Sequence, residues 1–451
     1  LEINLDAVPK KYDGLDGTEL AISESQERMA ICVDPLEVAY FIAESDKENL
    51  ECVHVATVTD TGRLRMTWRG KTIVDLTREF LDTNGVQQEA TVHVEAIGTE
   101  SPLDCIAFES FADALGDLNI SSQKGLGEMF DSSVGAGTVL SPFGGKHQCT
   151  PVDAMVATLP FLEGQTQICT HMSWGFNANI ATWSPYHGAA YAVTESVCRA
   201  VASGARLSDI RLTLQEYFPK LGDDSSRWGL PFAALLGAFK AQHELRLGAI
   251  GGKDSMSGTF NDIDVPPTLV SFALAPGNTK HVVSPEFKEV NSLISFIEVP
   301  RDENQLPDFR ALKEIADTLH GANILAAHTL DHGGIATGLS KMSFGNGIGA
   351  SIKTDINLHQ ERFLSFLIES KEEITGGIVI GKTQIEPTIQ VGSDTLKLGE
   401  LYDAWTNPLS EIYPETADPS TSEADTFNST FEVKHSTTKS QNPKVIIPAF
   451  P

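Results

Sequence analysis

The 451-residue sequence has no apolar run approaching the roughly 20 residues that a membrane-spanning helix requires. Its opening, Leu1 to Lys11, lacks the basic-then-apolar order of a secretory signal. Basic residues are scarce: 33 Lys and Arg stand against 61 Asp and Glu, and a formal charge of −28 excludes a nonspecific binder of nucleic-acid backbones. The six cysteines, Cys32, Cys52, Cys105, Cys149, Cys169 and Cys198, contain no C-x-x-C pair, so neither a zinc ribbon nor a disulfide framework is indicated and reduced, mostly buried thiols are expected. These absences predict a soluble, cytoplasmic protein without a membrane or nucleic-acid partner. Hydrophobic residues make up 41% of the chain, ample for packed cores, and at roughly 100 to 200 residues per domain the length predicts two to four domains.

Both ends read as cut. The chain opens on Leu1 in a charged run, and Lys444-Val-Ile-Ile-Pro-Ala-Phe-Pro451 reads as a strand that starts a domain and stops, so an excised part of a longer polypeptide is expected. Residues 1 to about 85 predict an α+β module: a strand at Met29–Val33, a helix over Pro35–Ala43, and a hairpin of Val53–Val58 with Leu64–Trp68. From 86 to 280 the composition turns to Gly, Ala and Ser. Ser184 as N-cap and Pro185 at the first helical position start a helix whose apolar stripe runs from Ala189 to Val201 before Gly204 ends it. A second helix is expected over about Leu230–Leu247 and a buried strand over Leu269–Ala275.

Residues 281 to about 412 predict strands at Leu293–Val299, Asn323–His328, Gly377–Ile380 and Thr388–Val391, with helices at Phe309–Leu319, towards Phe344, and at Leu358–Ser370. Tyr413 to Pro443 is rich in Ser, Thr, Glu, Asp and Pro and reads as a linker.

Four segments can carry chemistry. In Leu247-Gly-Ala-Ile-Gly-Gly-Lys-Asp-Ser-Met-Ser-Gly-Thr259, glycines let backbone N–H groups approach an anion, Lys253 supplies charge and Asp254 can hold Mg²⁺; a plain tight turn fits the same spacing. It is not a Walker A loop, because Asp254 follows the lysine where Ser or Thr is required. Polar residues of Ala21–Met29 lead into an apolar stretch and either orient a polar ligand or form a solvated loop. Ser141-Pro-Phe-Gly-Gly-Lys-His-Gln-Cys-Thr-Pro-Val-Asp153 offers His147 as a base or as a loop histidine, while Glu195, off the alanine stripe of its helix, suits a surface carboxylate or a metal ligand. Leu325 to Ile335 delivers His328, Asp331 and His332 to a glycine turn, too few ligands for a complete metal site on their own.

Together and in this order, Ser23-Glu-Ser-Gln-Glu-Arg28, Gly251-Gly-Lys-Asp-Ser-Met-Ser257, Pro267-Thr-Leu-Val-Ser-Phe-Ala273 and the His328–Gly334 turn resemble the synthetase region of the phosphoribosylformylglycinamidine synthase family. The resemblance implies an α+β, aminoimidazole-ribonucleotide-synthetase-like fold of A and B halves, with mixed sheets flanked by helices. Residues 1–85 would be the end of the first B half, 86–280 the second A half and 281–430 the second B half. Residues 431–443 would be a linker and 444–451 the opening strand of a glutaminase domain, with the first A half lying outside the chain.

The implied activity is an ATP-dependent ligation in purine biosynthesis. The amide oxygen of formylglycinamide ribonucleotide is phosphorylated, and ammonia released from glutamine by the glutaminase displaces the phosphate, with ATP and Mg²⁺ as cofactors. By resemblance Glu24, Ser25, Gln26 and Ser255 bind substrate, and Gly252, Lys253 and Asp254 bind ATP. No catalytic base is assigned. Asp153 and Glu195 match two metal ligands of an auxiliary nucleotide site, but Arg199 stands where an asparagine is usual, Thr329 replaces an aspartate and Asp331 a serine. A permanent cation in a ligand's place predicts an empty or altered auxiliary site. A non-catalytic nucleotide-binding scaffold, or another ATP-using enzyme of the same superfamily, is the alternative reading, and the Glu24–Gln26 triplet argues against both.

Overall fold

The computed structural model describes residues 1–10, 13–23, 28–83, 89–106, 108–130, 137–161 and 164–415. Its contacts divide the chain into two units, Leu1–Ala90 and Thr91–Pro451.

In the first unit Glu2–Asn4 pairs antiparallel with Ala56–Thr57 and parallel with Arg63–Trp68, which continues antiparallel into Lys71–Thr77. The turn between the last two puts Arg69 and Gly70 at φ 49° and 71°. Two consecutive left-handed residues match the right-handed twist of paired strands, and this places the hairpin at 63–77. The expected hairpin of Val53–Val58 with Leu64–Trp68 is therefore not formed. Met29–Val33 is no strand either: Met29 and Ile31 are exposed, and their apolar alternation meets no partner strand among the described residues. The helix expected from Pro35 begins later, at Val38–Lys47, because Asp34 turns the chain by accepting from the Leu36 amide.

The second unit holds two large sheets. The first has six strands in the order Ala249–Lys253, Arg211–Tyr217, Thr268–Asn278, Ile168–Gly175, Met155–Thr158, Thr138–Leu140. The Pro185–Ala202 helix packs on the strands Ile168–Gly175 and Thr268–Asn278 and is capped as expected, the Ser184 hydroxyl accepting from the His187 amide. Small side chains bring helix and sheet close: Ser196 Oγ and Ser271 Oγ lie 2.9 Å apart, and a β-carbon on Gly175 would stand 2.2 Å from the Ala192 carbonyl oxygen. The second helix starts earlier than its apolar pattern suggests, at Ser225 rather than Leu230, because Asp224 accepts from the Ser226 and Arg227 amides.

The other sheet has seven strands, in the order Ile324–Thr329, Phe366–Ser370, Leu293–Ile297, Ile378–Gln384, Gly349–Ile352, Thr388–Val391, Asp394–Lys397. The helix expected over Leu358–Ser370 is replaced by the strand Phe366–Ser370, all of whose residues are buried. A short apolar run covered on both faces carries no periodicity that separates strand from helix, and here the two flanking strands decide it. Helices Phe309–Gly321 and Gly334–Phe344 form as expected. One continuous core joins Ala190, Val193 and Val197 to Ile297, Leu312 and Phe366, so both sheets belong to one packed body. The cysteines are free, but only Cys169 and Cys198 are buried; Cys32 and Cys105 are exposed, so the expectation of mostly buried thiols fails.

Candidate functional site

The glycine-rich segment is a strand rather than a loop. Ala249–Lys253 pairs parallel with Arg211–Tyr217 at the open edge of the six-stranded sheet, and all five of its residues are exposed. A β-carbon at Gly252 would stand 2.4 Å from the Leu214 carbonyl oxygen, so the neighbouring strand itself demands glycine there; at Gly251 nothing lies within 4 Å. Beyond Lys253 the chain stays alongside the same neighbour, the Ser255 amide donating to the Glu216 carbonyl at 3.1 Å and the Phe218 amide to the Ser255 carbonyl at 2.9 Å. Lys253, Asp254 and Ser255 thus follow one another along an exposed backbone rim, with Ser255 Oγ 2.8 Å from Ser257 Oγ.

Glu216 joins them. Burial, and then the charge of Asp254, pushes its carboxyl above the usual range. Sequence reasoning passed over Glu216, since nothing in the pattern of Arg211–Tyr217 marks it; only pairing with the edge strand brings it to Asp254.

The second constellation is a buried polar seam between elements of the two sheets. Asp153 is enclosed: Oδ1 lies 2.7 Å from His328 Nδ1, and Oδ2 accepts from the Thr329 amide at 2.6 Å. Glu195 is no surface carboxylate; it is buried, 2.6 Å from Arg199 Nη2, and accepts from the Phe176 amide at 3.1 Å. Arg199 also reaches Asp331 at 3.6 Å and lies over the Trp174 ring at 4.6 Å. Lys341 holds Asp331 from the other side at 3.3 Å.

Burial works against the charge on Asp331, yet Lys341 and Arg199 together outweigh it and hold the carboxyl at about 2. Burial pushes Glu195 up, with Arg199 pulling back. His332 pairs with Glu361 at 3.7 Å and Asn177 at 2.9 Å; burial opposes its charge, but Glu361 raises it overall. Among the described residues no group of three or more His, Cys, Asp or Glu side chains is arranged to hold a metal ion. The guanidinium of Arg199 occupies the position between Glu195 and Asp331.

Lys341, Glu361 and Asn177 went unnoticed in the sequence, although the i, i+4 spacing of Glu195 and Arg199 was there to be read. Upstream of Asp153 the segment from Ser141 packs against Gly345. It forms the short hairpin Phe143–Gly144 with Thr150–Pro151, the His147 amide donates to the Gly345 carbonyl, and Gly145 adopts φ 87° directly against Gly345. Glu24, Ser25 and Gln26 lie outside the described residues, as do residues 431–443 and 444–451.

A family profile described as AIR synthase related protein, C-terminal domain, matches residues 1–69. The mixed sheets with their helices have the AIR-synthase-like fold. Phosphoribosylformylglycinamidine synthase subunit PurL of Thermoplasma volcanium is 24% identical over 375 residues, covering 78% of this chain and 48% of that protein. The corresponding subunit of a Nocardioides species is 24% identical over 465 residues, covering 91% and 59%. Among solved structures, Thermotoga maritima PurL complexed with ATP superposes with a TM-score of 0.60 at 19% identity over 85% of this chain and 59% of that one. The same protein complexed with FGAR gives 0.61 at 20% identity over 85% and 57%. The chain is similar to phosphoribosylformylglycinamidine synthase subunit PurL over most of its length, and it spans about half the length of the curated relatives it matches. Among the described residues no helix is long and apolar enough to cross a membrane.

Proposed function

We propose that this chain contributes part of the active cleft of a phosphoribosylformylglycinamidine synthase, an ATP-dependent amidine-forming ligase of purine biosynthesis. The observation that carries the reading is similarity to PurL subunits over most of the chain, supported by an open strand edge that ends in Gly252 and Lys253, with Asp254 and Ser255 directly beyond it. In the reaction, the amide oxygen of formylglycinamide ribonucleotide attacks the γ-phosphorus of ATP and releases ADP. Ammonia then adds to the activated carbon and phosphate leaves. The protein's task is to orient the groups and to balance the charge of the transferred phosphoryl.

Lys253 would supply that positive charge, the amides around Gly252 would approach the phosphates, and Ser255 would hydrogen-bond substrate. Asp254 and Glu216 suit Mg²⁺, which takes one or two protein carboxylates and completes its shell with phosphate oxygens and water. A glutaminase would supply ammonia, and a first A half would supply the opposite wall of the cleft. The Asp153–Glu195 region, by contrast, would hold no divalent cation, because Arg199 and Lys341 already pair with Glu195 and Asp331, and both oxygens of Asp153 are taken by His328 and the Thr329 amide.

The test is ammonia-dependent ADP release by the full polypeptide. Lys253→Ala and Ser255→Ala are each expected to lower kcat/KM by about 100-fold or more, the usual scale for removing a group that stabilises transition-state charge. Full activity in both variants would sink the site assignment.

A further inference from the structure

Two serines flank Met256 on the rim beyond the edge strand. The Met256 side chain packs against the core that holds Leu212, Phe218 and Leu269. With Met256 turned inward, Ser255 and Ser257 on either side of it meet each other instead, their hydroxyl oxygens 2.8 Å apart, and Ser257 is exposed.

The backbone around the pair is fixed on both sides. Ser255 is bonded to the neighbouring strand through both of its peptide groups, donating to the Glu216 carbonyl at 3.1 Å and accepting from the Phe218 amide at 2.9 Å. Directly after Ser257, the Gly258 amide donates to the Phe218 carbonyl at 2.9 Å and the Gly258 carbonyl accepts from the Val265 amide at 2.9 Å. A β-carbon on Gly258 would stand 2.3 Å from the Val265 side chain and 2.9 Å from the Phe218 carbonyl oxygen, so the chain keeps this track only with glycine there. Thr259 closes the run, its hydroxyl accepting from the Lys220 amide at 2.8 Å and donating to Asp264 at 2.6 Å. The two serine hydroxyls are thus held at the rim by a tied backbone, and among the described residues neither has another hydrogen-bond partner.

Two facing hydroxyls share one hydrogen bond, and its direction decides what the pair offers to the cleft. When Ser255 donates to Ser257, Ser255 presents only lone pairs outward. When Ser257 donates, the Ser255 oxygen is satisfied as an acceptor and its own proton is free to point outward. Lys253 stands two residues away on the same exposed rim, and its charge draws an oxygen-rich or anionic group. Such a group needs a donor, which selects the second direction. The chained bond also polarises the Ser255 O–H and makes it a stronger donor than an isolated hydroxyl.

We propose that Ser257 is a positioning residue for Ser255: it donates to the Ser255 oxygen and so aims the Ser255 proton at an oxygen of the substrate. The proposal rests on the reading of the Gly252–Ser255 rim as part of the active cleft, and it makes Ser257 act wholly through Ser255.

The test is a double-mutant cycle on the full polypeptide, read as kcat/KM for formylglycinamide ribonucleotide in ammonia-dependent ADP release. Ser257→Ala is expected to lower kcat/KM by about 3- to 10-fold, the net contribution of one hydrogen bond. Ser257→Thr keeps the hydroxyl and is expected to recover most of that loss. In a Ser255→Ala background Ser257→Ala is expected to change nothing further, because the group it orients is gone. The thermal midpoint of Ser257→Ala should stay within about 2 °C of wild type, as for other exposed side chains.

Equal losses from Ser257→Ala in both backgrounds would make Ser257 a direct contact and overturn the proposal. So would full activity in Ser257→Ala, or a loss that comes with a midpoint lowered by several degrees and is shared by Ser257→Thr, which would make the pair structural. Full activity in Ser255→Ala is a separate failure, that of the site assignment itself, and it is told apart because it shows in a variant that leaves Ser257 untouched.

Discussion

Replacing Arg199 by methionine tests whether the seam is held by the protein's own cation. The substitution keeps much of the side chain's bulk and removes the charge 2.6 Å from Glu195, whose side chain is only 11% exposed. Breaking a buried ion pair by removing one partner costs about 3 to 5 kcal/mol, because the remaining charge is stranded. The loss is bounded on two sides: Asp331 keeps Lys341, and burial, which already pushes Glu195 up, favours its neutral form further once Arg199 is gone.

A pH signature accompanies the loss. Asp331 titrates at about 2 against an ordinary 3.8, so it contributes about 2 kcal/mol to stability. A depressed carboxylate gives its full contribution above its unfolded pKa and loses it as pH falls through the folded one. In wild type that loss falls between about pH 4 and 2; in Arg199→Met the folded value moves up towards the unfolded one, so the loss is smaller and is complete at a higher pH. Urea denaturation at pH 7 and through the acid range reads both effects. A change below about 1 kcal/mol at pH 7 would show that Glu195 and Asp331 have other support and would refute the argument.

Asp153→Ala removes the acceptor for His328 and for the buried Thr329 amide, and it is expected to cost about 2 to 4 kcal/mol in the same denaturation experiment. Gly175→Ala, whose methyl would meet the Ala192 carbonyl oxygen at 2.2 Å, should lower the thermal midpoint by several degrees through about 1 to 3 kcal/mol of overpacking. Because the folded pKa of His332 is raised, its contribution is complete below about pH 6.5 and fades as pH rises through the folded value; the stability gap between wild type and His332→Gln is expected to be wider at pH 6 than at pH 9. Isothermal calorimetry should detect no magnesium-dependent ADP binding at the Arg199 seam; binding that Glu195→Ala abolishes would contradict the metal-free reading.

Local chemistry was legible wherever a few neighbouring residues decide the outcome. Ser184 and Pro185 announce the start of their helix, Asp308 accepts from the Arg310 and Ala311 amides at the head of another, and Thr388–Val391 alternates as a strand should. Readings failed where partners from elsewhere decide. Phe366–Ser370 is a strand because two strands enclose it, and Met29–Val33 is not one because none does.

Of the candidate site, the order Gly252, Lys253, Asp254, Ser255 could be read from the chain alone, because a short polar run among glycines is a local feature. That these residues stand on the rim of a sheet beside Glu216 could not, since strand pairing joins residues far apart in sequence. The same holds for the seam. Sequence alone determined that Arg199 lies one turn from Glu195; tertiary structure decided that both are buried and that Asp331 and Lys341 arrive from another sheet layer to balance them. Spacing along a helix is set by local backbone geometry, whereas burial and charge balance depend on what the rest of the chain brings into contact.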